Sequence, residues 1–257
     1  MRALVVSDIH GNLQALEAVL GVAQSHTGGG FDQLWNLGDV VGYGARPNEV
    51  IDTLRTLKVE RSIHVRGNHD RVCCGLSSSQ GFNPIAAAAA GWTRQHLRPD
   101  NREWLRGLPM GPIQATERAL CAHGSPLHED QYIVSMRDAW TPLQRMPSEL
   151  AFFGHTHLQG AFSRREEDWA EDYPEYAAGD SVESFMMEVP VGSRHLINPG
   201  AVGQPRDGDW RAAFAIYDEA LAQVTFFRTP YDVAAAQAAI REAQLPERLA
   251  ARLSAGR

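Results

Sequence analysis

The ten residues ALVVSDIHGN (3–12) pass from apolar to polar at a single point. Ala3 to Ser7 form a short, β-branched run that suits a strand buried on both faces. Behind it stand a carboxylate and an imidazole, Asp8 and His10. Asn12 follows, and it can cap a helix that carries Leu13, Leu16, Val19 and Leu20 at helical spacing. Strand, polar tip and helix form the opening unit of an α/β sheet, and ligands of such sheets gather at the carboxyl ends of the strands.

The pattern recurs along the chain. DQLWNLGD (32–39) reads as a second strand ending at Asp39, and Pro47 suits the first position of a helix carrying Val50, Ile51, Leu54 and Leu57. RSIHVRGN (61–68) reads as a third strand, with Gly67 turning the chain and Asn68, His69 and Asp70 behind it. Asn83 and Pro84 open a helix through IAAAAAGWTRQHL (85–97). MGPIQATERALCAHG (110–124) predicts a hairpin that turns near Thr116 and Glu117 and delivers His123. ELAFFGHTH (149–157) predicts a buried strand that delivers His155 and His157. Strand-like pieces follow at SFMMEVP (184–190), RHLINPG (194–200), RAAFAIYD (211–218) and AQVTFFR (222–228), and residues 231–253 read as helical apart from a break at Pro246. Strand–helix alternation giving way to β-rich sequence predicts an α/β chain with a partly antiparallel second sheet. RREEDWAEDYPEYAAGDSVES (164–184) sets eight acidic residues around Trp169, Tyr173 and Tyr176; it reads as a solvated insertion or, more sharply, as a lid.

At 257 residues the length alone admits one large or two small domains. Hydrophobic content of 44% with 21% charged residues fits a globular core. A net charge of −7 argues against a dedicated DNA or RNA binder. With no run of 18 apolar residues, no membrane partner is expected, and an N-terminus that turns polar at residue 7 does not read as a signal peptide. Cys73, Cys74 and Cys121 read as reduced core fillers, so the expected location is cytoplasmic.

Residues two apart in a strand point the same way, so Asp8 with His10, and His155 with His157, are expected to aim in pairs at one point. Five of the ten histidines stand at strand ends beside glycine, with Asp or Asn interleaved. His26, His64, His96, His128 and His195 read as structural or surface residues. The remaining set, Asp8, His10, Asp39, Asn68, His123, His155 and His157, exceeds what one zinc ion needs and suits two metals sharing a bridging carboxylate. Oxygen and imidazole donors without thiolate favour manganese or iron, with zinc, nickel or cobalt as alternatives. Two divalent ions, two aspartates and one hydroxide leave a centre of about +1, which attracts phosphate. Metals about 3.5–4 Å apart clamp the attacking and leaving oxygens of an in-line displacement. Metal-assisted phosphoester hydrolysis is the reaction class these residues reach by themselves.

The blocks DIH, GD, GNHD, HG and GHTH, in this order over residues 8 to 157, resemble the signature of the calcineurin-like metallophosphoesterases. GDVVGYGARPNEV and NPGAVGQPRDGDWRAAFAIYD look like a bacterial and archaeal phosphodiesterase branch, some of whose members cleave dinucleoside polyphosphates asymmetrically. The resemblance implies a single domain over 1–257, a four-layer sandwich of two facing mixed β-sheets flanked by helices, with the C-terminal helical segment at 230–257. It implies that Asp8, His10 and His157 hold one metal, that Asn68, His123 and His155 hold the other, that Asp39 bridges them, and that a bridging hydroxide attacks phosphorus. His69 resembles the family's non-ligand histidine, which stabilises the phosphate or protonates the leaving oxygen.

For Asp70, support of the site and a loop cap are both open. Gly42 and Tyr43 stand where protein phosphatases and symmetrical dinucleoside tetraphosphatases carry a polar residue and an arginine. That departure argues against a protein phosphatase. Asn12, Arg66 or Arg206 are the candidates to grip phosphate instead, although Arg206 also suits a surface turn. A non-catalytic scaffold of the same fold would be expected to lack a ligand or His69, and neither is missing. A small phosphoester or nucleotide is the expected substrate, and the aromatic residues of 164–184 could serve a contact between copies of the chain.

Overall fold

The computed structural model describes residues 1–25, 30–177 and 179–257; His26 and one position of the acidic 164–184 stretch lie outside the described residues. Strand β1 (Arg2–Val6) pairs in parallel with β2 (Gln33–Asn36), and β2 pairs in parallel with β3 (Arg61–His64). Helix α1 (Leu13–Ser25) makes the first crossover and α2 (Pro47–Thr56) the second. Their starts follow the sequence chemistry. Asn12 Oδ1 accepts from Ala15 N at 3.2 Å, and Pro47 occupies the first turn of α2, where a missing N–H costs nothing.

The other side of β1 pairs antiparallel with β11 (Ala212–Asp218), which continues through β12 (Gln223–Thr229) to β9 (Glu183–Glu188). The second sheet runs in the order β4 (Ile113–Gln114), β5 (Ala119–Cys121), β6 (Leu150–Phe152), β10 (Arg194–Asn198), β7 (Gly160–Arg165) and β8 (Asp168–Asp172). Here β5, β6 and β10 are parallel neighbours and the remaining pairs are antiparallel.

Alternation along β1 sorts its side chains between two cores. Ala3 and Val5 face the second sheet, in a cluster with Trp35, Phe152 and Tyr217. Leu4 and Val6 face the helices, with Leu16, Val19, Val50 and Ile51. Helix α4 (Pro84–His96), capped by Asn83, lies on this helical side with α5 (Pro99–Arg106), α7 (Val233–Glu242) and α8 (Glu247–Leu253). On the far face α6 (Met136–Arg145) sets Ala139 and Leu143 against Ala151, Phe153 and Leu196. The result is the expected sandwich of two mixed sheets between helical layers.

The structure differs from the sequence reading in three places. Strands stop short of the polar residues: β1 ends at Val6 and β3 at His64, and Asn68 opens a short helix, α3 (Asn68–Cys73). Helices α5 and α6 were not foreseen; their strongly polar composition hides them, and α6 carries Pro142. The acidic stretch is no loose insertion at its ends, because it supplies β8 and opens β9. Its loop is tied to the body through Tyr176, whose hydroxyl donates to Gln159 Oε1 at 2.9 Å. The buried Arg211 donates to the carbonyls of Ala177 and Ser181.

Trp35 is fully buried between the sheets, with ring centroids 5.4 Å from Phe152 and 5.6 Å from Tyr217. Trp35→Ala should destabilise by about 3–5 kcal/mol. Chemical denaturation should show this as a lower midpoint at unchanged slope; a loss below ~1 kcal/mol would mean that the inter-sheet core collapses around the gap.

Candidate metal centre

Five of the seven candidate ligands occupy the left-handed backbone region, which side-chain-bearing residues rarely adopt. Their φ values are 54° at Asp8, 51° at His10, 54° at Asp39, 69° at His155 and 63° at His157. This corrects the strand-alternation argument. Asp8 and His10 lie beyond β1, and His155 and His157 beyond β6, so sharp turns aim them rather than a pleat. The turns are laced to one another: Asp8 N donates to Gly38 O at 3.0 Å and His10 N to Asp39 O at 2.9 Å. His155 N donates across the two sheets to Asp8 Oδ2 at 3.0 Å.

The side chains converge as two groups. The ligand atoms of Asp8, His10 and His157 lie within 4.8 Å of one another, as do those of Asp39, His123 and His155, and all six residues are buried. Three imidazoles are oriented from behind. His10 Nδ1 meets Val41 O at 3.1 Å, His123 Nδ1 meets Leu37 O at 2.9 Å, and His157 Nδ1 meets Gln204 O at 2.6 Å. A carbonyl can only accept, so each Nδ1 carries the proton and each Nε2 turns inward.

His10 Nε2 and His157 Nε2 stand 3.1 Å apart, and Asp8 Oδ1, buried and without a hydrogen-bond partner, is 3.2 Å from His157 Nε2. Facing lone pairs beside an unpartnered carboxylate oxygen are the donor set of a cation. Asp39 Oδ2 lies between the groups, 3.7 Å from His10 Nε2 and 3.5 Å from His123 Nε2, and Asn68 Oδ1 is 3.1 Å from His123 Nε2. The seven residues singled out in the sequence are therefore brought together.

Helix α3 explains the VRGNHD stretch. Gly67 is not a sharp turn; its φ of −93° and ψ of 170° are extended. Glycine is needed for close approach, since a Cβ there would stand 2.0 Å from Asp39 Oδ1. That space lets His69 N donate to Asp39 Oδ1 at 2.8 Å. Asp70 unites its two readings: Oδ2 accepts from Gly67 N at 3.0 Å as a helix cap, and Oδ1 accepts from Val41 N at 3.1 Å. One buried carboxylate thus joins the loop after Asp39 to the loop before Asn68.

His69 stands beside the ligand groups, with its ring 4.9 Å from His10, 4.5 Å from Tyr43 and 4.5 Å from Phe82. Its Nδ1 is buried without a partner, and a Cβ on Gly42 would approach that atom to 2.6 Å. Burial depresses both His69 and His155 to about 4. His123 goes the other way. Burial would lower it, but Asp39 and then Asp8 outweigh that and push it up to about 10. Burial likewise opposes ionisation of Asp39, yet His123 and His69 hold it well below the usual carboxylate range.

The three phosphate-gripping candidates separate. Asn12 uses both ends of its amide in the fold, accepting from Ala15 N and donating to Gly203 O. Arg66 Nη2 pairs with Glu129 at 3.2 Å. Arg206 makes no salt bridge among the described residues; its N–H bonds His157 O, and its guanidinium carbon lies 5.9 Å from the Tyr43 ring centroid. Tyr43, Phe82 and Tyr132, whose ring is 3.9 Å from His155, were missed as site residues. Tyr43 lies four residues past Asp39, a signal in the sequence; Phe82 and Tyr132 carry none. His64, His96, His128 and His195 stand outside both ligand groups, and all three cysteines are buried and unpaired.

Comparison with known proteins agrees with this geometry. The family model described as the calcineurin-like phosphoesterase superfamily domain matches residues 1–220. The crystal structure of a metallophosphoesterase from Sphaerobacter thermophilus is 41% identical, with a TM-score of 0.83 over 100% of this chain and 99% of that one. An uncharacterised protein of Methanocaldococcus jannaschii, MJ0912, is 33% identical over 98% of this chain and 97% of its own length. A symmetrical bis(5'-nucleosyl)-tetraphosphatase of Psychromonas ingrahamii is 39% identical over 43% of this chain and 39% of its own length. Left-handed turns after β1, β2 and β6 that aim two groups of ligands into one cleft, on this sandwich and with these relatives, give one answer: the chain belongs to the calcineurin-like phosphoesterase superfamily.

Proposed function

We propose that this chain is a two-metal phosphoesterase that hydrolyses phosphodiester or nucleotide substrates. The observation that carries the reading is the pair of buried donor groups with Asp39 between them and three imidazoles fixed with Nε2 inward. Asp8, His10 and His157 would hold one cation, Asn68, His123 and His155 the other, and Asp39 both. Mixed oxygen and nitrogen donors suit manganese or iron. Bound there, the cations would supply Lewis acidity toward phosphoryl oxygens and activate water.

The remaining steps fall to the chain's own groups. Arg206 would grip a non-bridging oxygen, aided by its position over Tyr43. His69 would donate from its imidazole to the phosphate or to the leaving oxygen. Its neighbours Tyr43 and Phe82 keep bulk water from that face. No helix among the described residues is long and apolar enough to cross a membrane. Three unpaired cysteines suit a reducing compartment, and we assign the protein to the cytoplasm on that ground.

Asp39→Asn should lower bound metal at both positions and abolish turnover, as read by elemental analysis beside an ester assay. Retention of two metals per chain would sink the bridging role. His69→Ala should keep both metals and lower turnover about 10²–10⁴-fold on a poor leaving group. The loss should be far smaller on a p-nitrophenyl ester; equal losses would leave His69 as a phosphate ligand without an acid role. The reading as a whole is tested by loading the protein with manganese and offering bis-p-nitrophenyl phosphate, its monoester and diadenosine tetraphosphate. Hydrolysis of the diester is expected. Stoichiometric metal without hydrolysis of any of the three would make the fold a binding scaffold. Chromatography of the dinucleotide products, ATP with AMP or two ADP, would fix the bond attacked.

A further inference from the structure

The cleft does not end at His69. Phe82, which packs on His69, leads directly into Asn83, Pro84 and Ile85, and these line a groove of about 820 Å³ whose other wall is α8 and the residues after it. Arg248, Arg252 and Arg257 line that wall. Arg252 ties the groove back to the centre: its guanidinium carbon lies 6.0 Å from the Tyr43 ring, on which Arg206 also rests at 5.9 Å. Tyr43 in turn packs 4.6 Å from His10.

None of Arg206, Arg248, Arg252 and Arg257 makes a salt bridge among the described residues. The nearby Glu247 is engaged by Arg241 at 2.8 Å. Arg252 Nε donates to Arg257 O at 2.5 Å, which leaves its two Nη groups for a ligand. Four guanidinium groups that pair with no aspartate or glutamate among the described residues, in a chain of net charge −7, form a local departure from the protein's own field. Burial and the neighbouring Arg206 and Arg248 hold the Arg252 guanidinium below its ordinary range, as expected of crowded like charges. Arg248 and Arg252 on α8 lie beyond residues 1–220, the stretch that the family model matches.

We propose that this groove is a distal anion subsite, which receives a second phosphate group of the substrate while the first lies at the metal centre. The substrate class is then a polyphosphorylated ester, such as a dinucleoside polyphosphate, rather than a diester with a single charge. This inference deepens the phosphoesterase reading and rests on it for the substrate, but the groove can be tested without catalysis.

The experiment is calorimetric titration of chelator-treated protein with inorganic tripolyphosphate at low salt. The wild type should bind. R248Q/R252Q should bind at least about tenfold more weakly, the scale of a lost charge-assisted contact, and R252K should stay close to wild type. Wild-type affinity in the double variant, or no binding by the wild type, overturns the subsite. The same proteins, loaded with manganese, are then compared on diadenosine tetraphosphate and bis-p-nitrophenyl phosphate. The ratio of the two kcat/KM values should fall at least about tenfold in R248Q/R252Q; an unchanged ratio also overturns the proposal. Arginine-dependent tripolyphosphate binding in a protein that cleaves no ester would keep the groove and remove the hydrolytic reading. Robust diester cleavage with arginine-independent binding would do the reverse.

Discussion

Asp8 and Asp39 are carboxylates with essentially no access to solvent, and the rest of the centre is arranged around their charge. A buried carboxylate costs several kcal/mol unless it is paired or hydrogen-bonded. Backbone supplies one donor to each: His155 N to Asp8 and His69 N to Asp39. The other oxygens, Asp8 Oδ1 and Asp39 Oδ2, face imidazole Nε2 atoms, and a neutral imidazole whose Nδ1–H is committed to a carbonyl turns a lone pair toward them. Positive charge must therefore enter the cluster itself. His123 can carry a proton there, with Leu37 O, Asn68 Oδ1 and Asp39 around its ring, and a cation competes for the same place.

That requirement also accounts for the backbone. Left-handed conformations at Asp8, His10, Asp39, His155 and His157 cost on the order of 1–3 kcal/mol each unless the surroundings over-determine them. Here they do. Asp70 clamps Val41 N and Gly67 N at once, Gly67 has no Cβ to push Asp39 aside, and parallel pairing of β1 with β2 sets the two ligand-bearing turns side by side. The strain sits in short loops, while the fully buried cores on either side of the first sheet hold those loops' ends still. Precision at the centre is thus a property of the strands, although no strand contributes a ligand.

How much of this could be read from residues follows from which signals are local. Asp8, His10, Asp39, Asn68, His123, His155 and His157 were legible because each follows an apolar run at a glycine-marked end, and the two mixed sheets were legible from the runs themselves. The mechanism of aiming was not. Period-two alternation and a left-handed turn both put residues i and i+2 on one side, so the sequence could not tell them apart. Helices α5 and α6 escaped because polar residues dominate them and their apolar faces are narrow. Tyr132 and Phe82 reach the site through loops whose path depends on tertiary packing, which no spacing rule encodes.

The separation of acid from base over the surface bears on substrate choice. A net charge of −7 would seem to repel a polyanion, yet the relevant field is local, because exposed charges farther than about 8 Å are largely screened at physiological salt. Two of the eight acidic side chains of 164–184 are bound to other elements: Glu171 accepts from Met136 N, and Glu183 from Arg211. Arg206, Arg248, Arg252 and Arg257 make no ion pair with an aspartate or glutamate among the described residues; Arg206 and Arg252 lie over Tyr43, and Arg248, Arg252 and Arg257 line the groove on the path outward. A single-charge diester would use only the first of them. A substrate with further phosphates would use the path, so the C-terminal helix can set selectivity without touching the reacting phosphorus.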